Sequence, residues 1–227
     1  MFIDKYNLTL FENIFVAKKL ISEIIYNTAR LEGCNVTFPQ TETILQGVSV
    51  AGLQMSDVEK ILNLRDSWRY TLDNIEKPIS LEFWSRINGF VARNESLEWG
   101  VLPTRPAGGR YGNVGISGTD YTPKIPIAAE VEIALNQMLD LPISHTEKAL
   151  NLFLYGCRSQ LFWDGNKRTS TLIANKYLIQ SGAGIFSVPN AKLSQFNKLL
   201  TDFYNTGESL KIKKFLYEFC IKGLTRG

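Results

Sequence analysis

Along most of the chain, apolar residues recur at the three- and four-residue spacing of helices with one buried face. The first such face holds Ile14, Val16, Leu20, Ile21, Ile24, Ile25 and Leu31, and Gly33 closes it with a residue suited to ending a helix. Ahead of it, Thr9-Leu10-Phe11-Glu12 has the S/T-x-x-E form, in which hydroxyl and carboxylate satisfy free backbone N–H groups reciprocally. Ser56-Asp57-Val58-Glu59 and Ser144-His145-Thr146-Glu147 repeat that form before later faces. The pattern predicts further helices over 41–48, 57–75, 81–95, 127–139, 145–160, 166–182, 191–204 and 210–223.

Between Gly100 and Pro126 the helical spacing fails, because Pro103, Pro106, Pro123, Pro126 and six glycines interrupt it. There Tyr111 to Ile116 and Tyr121 to Ile125 flank Ser117-Gly118-Thr119-Asp120, which reads as a short hairpin. The fold class expected is therefore mainly α with one β-hairpin. The glycines at 109, 112, 115 and 118 are no dinucleotide fingerprint, since prolines and a hairpin follow rather than a helix.

Bulk properties narrow the function classes. A chain of 227 residues with 44% hydrophobic and 21% charged residues has ordinary globular composition. A formal charge of +3 gives no argument for nucleic acid or an acidic membrane surface. The start, Met1-Phe2-Ile3-Asp4-Lys5, lacks the features of a signal peptide, and no apolar run is long enough to cross a bilayer. A cytoplasmic location with no membrane partner is the expectation. Cys34, Cys157 and Cys220 are scattered and odd in number, so they form neither a disulfide framework nor a zinc pattern. A single histidine, His145, argues against a metal cluster or a Ser-His-Asp triad.

One segment concentrates chemistry. Leu161-Phe162-Trp163-Asp164-Gly165-Asn166-Lys167-Arg168-Thr169-Ser170 joins two predicted helices and places an acid, a glycine, an amide and two cations in five residues. A helix start offers unpaired N–H groups and a positive dipole end to an anion. Gly165 permits close backbone approach, Asn166 can donate, Lys167 and Arg168 can neutralise phosphate, and Asp164 can hold magnesium. Spacing alone serves equally well for a helix cap with solvated charges.

The segment from Leu152 to Ile179 resembles the core of the Fic (Fido) family, whose signature is H-x-F-x-D/E-G-N-x-R-x-x-R. Phe162, Asp164, Gly165, Asn166 and Arg168 match it in type and spacing. Thr28-Ala29-Arg30-Leu31-Glu32-Gly33 resembles the family's inhibitory motif S/T-x-x-x-E-G/N. The resemblance implies a Fic-type helical core with a hairpin flap, and a site for ATP or another nucleotide with magnesium. It further implies Asp164 as metal ligand, Gly165, Asn166, Lys167 and Arg168 around the phosphates, and Phe162 anchoring the loop. Thr28, Glu32 and Gly33 would form the inhibitory element. Asn113, Val114, Gly115, Ile116 and Ser117 would form the flap that docks a protein target. The implied organisation is an N-terminal helical region (1–79), the core (80–182) and C-terminal helices packing on it (183–227).

Two positions depart from the signature. Gln160 stands where the family has the histidine that takes a proton from a target hydroxyl as AMP is transferred. A glutamine amide is no base at neutral pH. Thr171 stands where the family has the arginine that pairs with the inhibitory glutamate, so Glu32 would have to face Lys167 or Arg168 instead. Lys167 also gives the loop a likeness to the Doc-type branch, which transfers phosphate and retains the histidine. The resulting expectation is a nucleotide-binding protein with impaired AMP transfer. The rivals are an active AMP- or phosphate-transferase with another base and an interaction module without nucleotide.

Overall fold

The computed structural model describes residues 2–103 and 121–224. Within them the helices are α1 (Leu10–Leu31), α2 (Phe38–Leu45), α3 (Met55–Asp73), α4 (Leu81–Val91), α5 (Ala128–Asp140), α6 (His145–Ser159), α7 (Asn166–Gln180), α8 (Leu193–Thr206) and α9 (Leu210–Phe219). Two short strands, β1 (Ile185–Phe186) and β2 (Ile221–Lys222), pair antiparallel with Ile185 opposite Lys222 and Phe186 opposite Ile221.

Every helix predicted from spacing is present, with shifts at the ends that have local causes. The capping box at Thr9 and Glu12 is formed in full, and Ser144 accepts from the Glu147 N–H. Ser56 is not a cap: α3 starts two residues earlier on the Gln54 carbonyl, and Asp57 turns to accept the Asn35 N–H at 3.1 Å. The second helix begins at 38 because Thr37 and Gln40 make a capping box with an amide in place of the carboxylate. The fourth stops at Val91, before the left-handed Asn94 (φ 66°). The first arm and turn of the expected hairpin, 111–120, lie outside the described residues, and with them Asn113 to Ser117. Its second arm, 121–125, forms no strand; Pro123 there has no N–H to give a ladder.

The central element is α7, which packs against α1, α3, α4 and α6 and is buried on nearly all sides. On one flank, Trp68, Trp84, Ile87, Phe162, Leu172 and Ile173 belong to one apolar cluster. On the other, Phe153, Leu178, Phe186, Phe196 and Leu216 belong to a second. Two of its hydroxyls bond back to the helix itself: Ser170 donates to the Asn166 carbonyl (2.6 Å) and Thr171 to that of Lys167 (3.0 Å). Asn175 exchanges two hydrogen bonds with the Phe186 backbone, each 2.8 Å, which ties α7 to β1. No helix among the described residues is long and apolar enough to cross a membrane.

Candidate functional site

The chain breaks between α6 and α7 at the segment singled out by its chemistry. Gln160 ends α6 in the left-handed region (φ 47°, ψ 55°), and the next helix starts at Asn166. Asn166 holds the intervening loop closed: its Oδ1 accepts the Phe162 N–H (2.9 Å) and its Nδ2 donates to the Phe162 carbonyl (2.7 Å) and to Gln160 Oε1 (3.1 Å). Phe162 is thereby seated in the core. Gly165 (φ 71°) rests on α4, where a Cβ would stand 2.8 Å from Val91 Cγ1. Asn88 of α4 donates to the Asp164 carbonyl (2.8 Å) and to Thr169 Oγ1 (3.1 Å).

Three groups remain turned to the mouth of the loop. No side chain among the described residues caps α7, so its leading N–H groups have no intrahelical or side-chain acceptor there. Asp164 is half-exposed; its Oδ1 accepts from the Gly165 N–H and from Arg168 Nη2 (3.3 Å), and its second oxygen is left without a hydrogen bond among the described residues. Lys167 Nζ lies 3.5 Å from Glu32 Oε1, a buried oxygen that makes no hydrogen bond. Glu32 is the C-cap of α1, with Gly33 (φ 78°) beyond it, while Thr28 is buried one turn earlier and donates to the Ile24 carbonyl (2.7 Å).

Asn166 and Arg168 do not face outward as the sequence suggested. The amide of Asn166 is spent on the loop itself. Arg168 is 1% exposed, and its guanidinium is held by both oxygens of Glu95 (2.5 and 3.0 Å) and by the Val91 carbonyl (3.1 Å). Burial works against its charge, but the carboxylates of Glu32, Glu95 and Asp164 outweigh that and hold it firmly protonated. Asn88 and Glu95 were not singled out in the sequence. Only the burial of Arg168 shows why a carboxylate is needed at Glu95.

Among the described residues, the position where the family has its histidine offers no base. Gln160 donates from Nε2 to the Cys157 carbonyl (2.6 Å) while Oε1 accepts from Asn166, so both ends of its amide are occupied. Cys157 is fully buried, and burial pushes its thiol up, away from the reactive thiolate. His145 starts α6 at its far end, with Nδ1 3.1 Å from the Tyr177 hydroxyl. Thr171 is buried and supplies no cation in place of the missing arginine.

Among the described residues no three histidine, cysteine, aspartate or glutamate side chains are grouped so as to hold a metal ion. A lone carboxylate beside a helix N-terminus still fits magnesium, which commonly takes one or two carboxylates and draws its other ligands from phosphates and water.

Neither a protein-family model nor a curated protein matches the chain. Solved structures do. A Fic domain containing signaling protein from Bacteroides thetaiotaomicron VPI-5482 superposes with a TM-score of 0.76 at 19% identity, over 93% of this chain and 86% of that one. A fragment of Fic-1 from C. elegans gives 0.76 at 18% identity, over 92% of this chain and 62% of the fragment. A Fic family protein from Desulfovibrio desulfuricans G20 gives 0.64 at 12% identity, over 96% and 74%. At these identities the likeness is one of fold. The chain has the helical Fic-type fold.

Proposed function

We propose that this chain binds a nucleotide polyphosphate with magnesium at the start of α7, and that it resembles protein adenylyltransferases but is impaired in AMP transfer from ATP to protein hydroxyls. The observation that carries this reading is the contrast between the two ends of one loop. Beyond Gly165 the helix start is uncapped and flanked by Lys167 and Asp164; at Gln160 the amide is consumed by two hydrogen bonds and offers no base. The helix N–H groups and the Lys167 ammonium would take phosphate oxygens. Asp164 would hold the magnesium, which on binding would neutralise charge on those oxygens. Glu32 competes with phosphate for Lys167, as an inhibitory glutamate would, and does so through the lysine rather than through an arginine at Thr171.

Loss of a general base costs about 10²- to 10⁴-fold in rate and leaves phosphate binding intact. Binding is therefore the property to measure first. Fluorescent mant-ATP titrated with and without Mg²⁺ is expected to bind the wild type in a metal-dependent manner and to bind Lys167→Ala and Asp164→Ala more weakly. If the wild type and Glu32→Gly both leave mant-ATP unbound, the chain is not a nucleotide-binding protein.

A further inference from the structure

Arg168 carries a clue about a residue outside the loop. Its two terminal nitrogens have four acceptors: both oxygens of Glu95, the Val91 carbonyl and Asp164 Oδ1. Only Nε is without a partner. Glu95 is held in place by its own N–H on the Ala92 carbonyl (3.0 Å), in the turn after α4, and its carboxylate has Lys60 at 3.8 Å on the other side. It thus takes both terminal nitrogens of a guanidinium that is almost wholly out of water, with the charge of Glu32 also nearby. A buried guanidinium deprived of its carboxylate is left with an uncompensated charge, which favours pairing with another carboxylate in reach. The other carboxylate already hydrogen-bonded to it is Asp164, four residues earlier and 3.3 Å away.

We propose that Glu95 is a positioning residue for the metal carboxylate: by taking both terminal nitrogens of Arg168 it limits that arginine to one oxygen of Asp164 and leaves the other for magnesium. This rests on the nucleotide-binding reading above. Glu95 touches neither phosphate nor metal in this account. It acts by keeping Arg168 from closing a two-pronged pair on Asp164. A residue that merely stabilised the fold would change melting and leave the magnesium response of folded variants unmoved.

The test reads the gain in mant-ATP affinity on adding Mg²⁺, with thermal melting to confirm that each variant is folded. Glu95→Gln is expected to cut that gain about tenfold, the loss typical of groups that orient a metal ligand, and to leave metal-free binding within about twofold. The pair Glu95→Leu with Arg168→Met removes the competing guanidinium with its counter-ion, and is expected to restore the gain. A folded Glu95→Gln with the wild-type magnesium response overturns the proposal, as does a folded double variant that gains no more than the single one. If Glu95→Gln does not fold, the double variant decides alone: a magnesium response near that of the wild type supports the proposal and its loss overturns it. A wild type and a Glu32→Gly variant that bind no mant-ATP at all remove the underlying reading instead, a result distinguishable from either.

Discussion

Lys167 and Glu32 meet at 3.5 Å, so that the first turn of α7 touches the cap of α1 across more than a hundred residues of chain. Both side chains are largely shielded from water, and the glutamate oxygen nearest the lysine has no hydrogen bond. The contact is therefore a charge pair held at the edge of the helix N-terminus, where it lowers the positive potential that a phosphate would meet. An unsatisfied carboxylate oxygen is also a costly group to keep buried. A ligand that drew Lys167 away would let Glu32 return to water.

Glu32→Gly is accordingly expected to tighten mant-ATP binding about tenfold, on the order of 1–2 kcal/mol for removing one carboxylate near an anion in a half-shielded site. Lys167→Ala is expected to weaken it, and Glu32→Gly made in that background should give a smaller gain than in the wild type. Equal gains in both backgrounds would show that the glutamate does not act through the lysine.

Asn166→Ala tests the loop rather than the ligand. It would leave the buried N–H and carbonyl of Phe162 without their amide partner. Two buried backbone groups without partners cost about 2–4 kcal/mol in total, which in a chain of this size lowers Tm by roughly 6–12 °C. Thermal melting checks this without any nucleotide. A Tm within a degree or two of the wild type would mean that the loop is held by something other than Asn166.

The difference between Asn166 and Lys167 shows how far the sequence could be read. The helices were legible because capping residues and apolar spacing mark their ends and faces, and the break before α7 was legible from Asp164 and Gly165. Which side chains of the loop face outward was not. A helix buried on nearly all sides has no polar face to read, so Arg168, Thr169, Ser170 and Asn175 look like solvated residues until their partners are seen. Glu95 carries no mark of its own, since its role is set by the burial of Arg168 from another helix. The pairing of β1 with β2 escaped for a simpler reason: two residues are too few to show the alternation that betrays a strand.

Alkaline pH should loosen this fold. Burial pushes the thiols of Cys34 and Cys220 from 9.0 up to about 12, and that of Cys157 upward as well. A group whose folded pKa is raised contributes stability below its unfolded value and loses it as pH climbs towards the folded one. Each thiol ionised only in the unfolded chain removes about 1.4 kcal/mol per pH unit. Lys176, pushed down by burial from 10.5 to about 8, acts in the opposite sense between those values, one group against three. Urea midpoints are expected to fall from about pH 9 upward, and less steeply in Cys220→Ala. The same burial predicts that no thiol of the native protein reacts with Ellman's reagent at pH 8. A midpoint that holds level to pH 11 would contradict the argument.

The position of Gln160 invites the replacement that the site lacks. Histidine tolerates the left-handed region better than most side chains, so a φ of 47° is no bar to it. An imidazole there could lie beside Asn166, as the glutamine oxygen does, and offer a nitrogen able to accept a proton. Gln160→His is expected to transfer label from ATP to protein hydroxyls at least about a hundredfold faster than the wild type, with a rate that rises through about pH 6.5 as the imidazole loses its proton. Asp164→Ala in that background should abolish the label while the chain stays folded. If wild type and Gln160→His label targets equally, the glutamine is no impairment. If the histidine variant binds mant-ATP tightly but transfers nothing, the block lies elsewhere, with Thr171 the first residue to exchange for arginine, because it alone of the signature positions leaves the phosphate end of the site short of a cation.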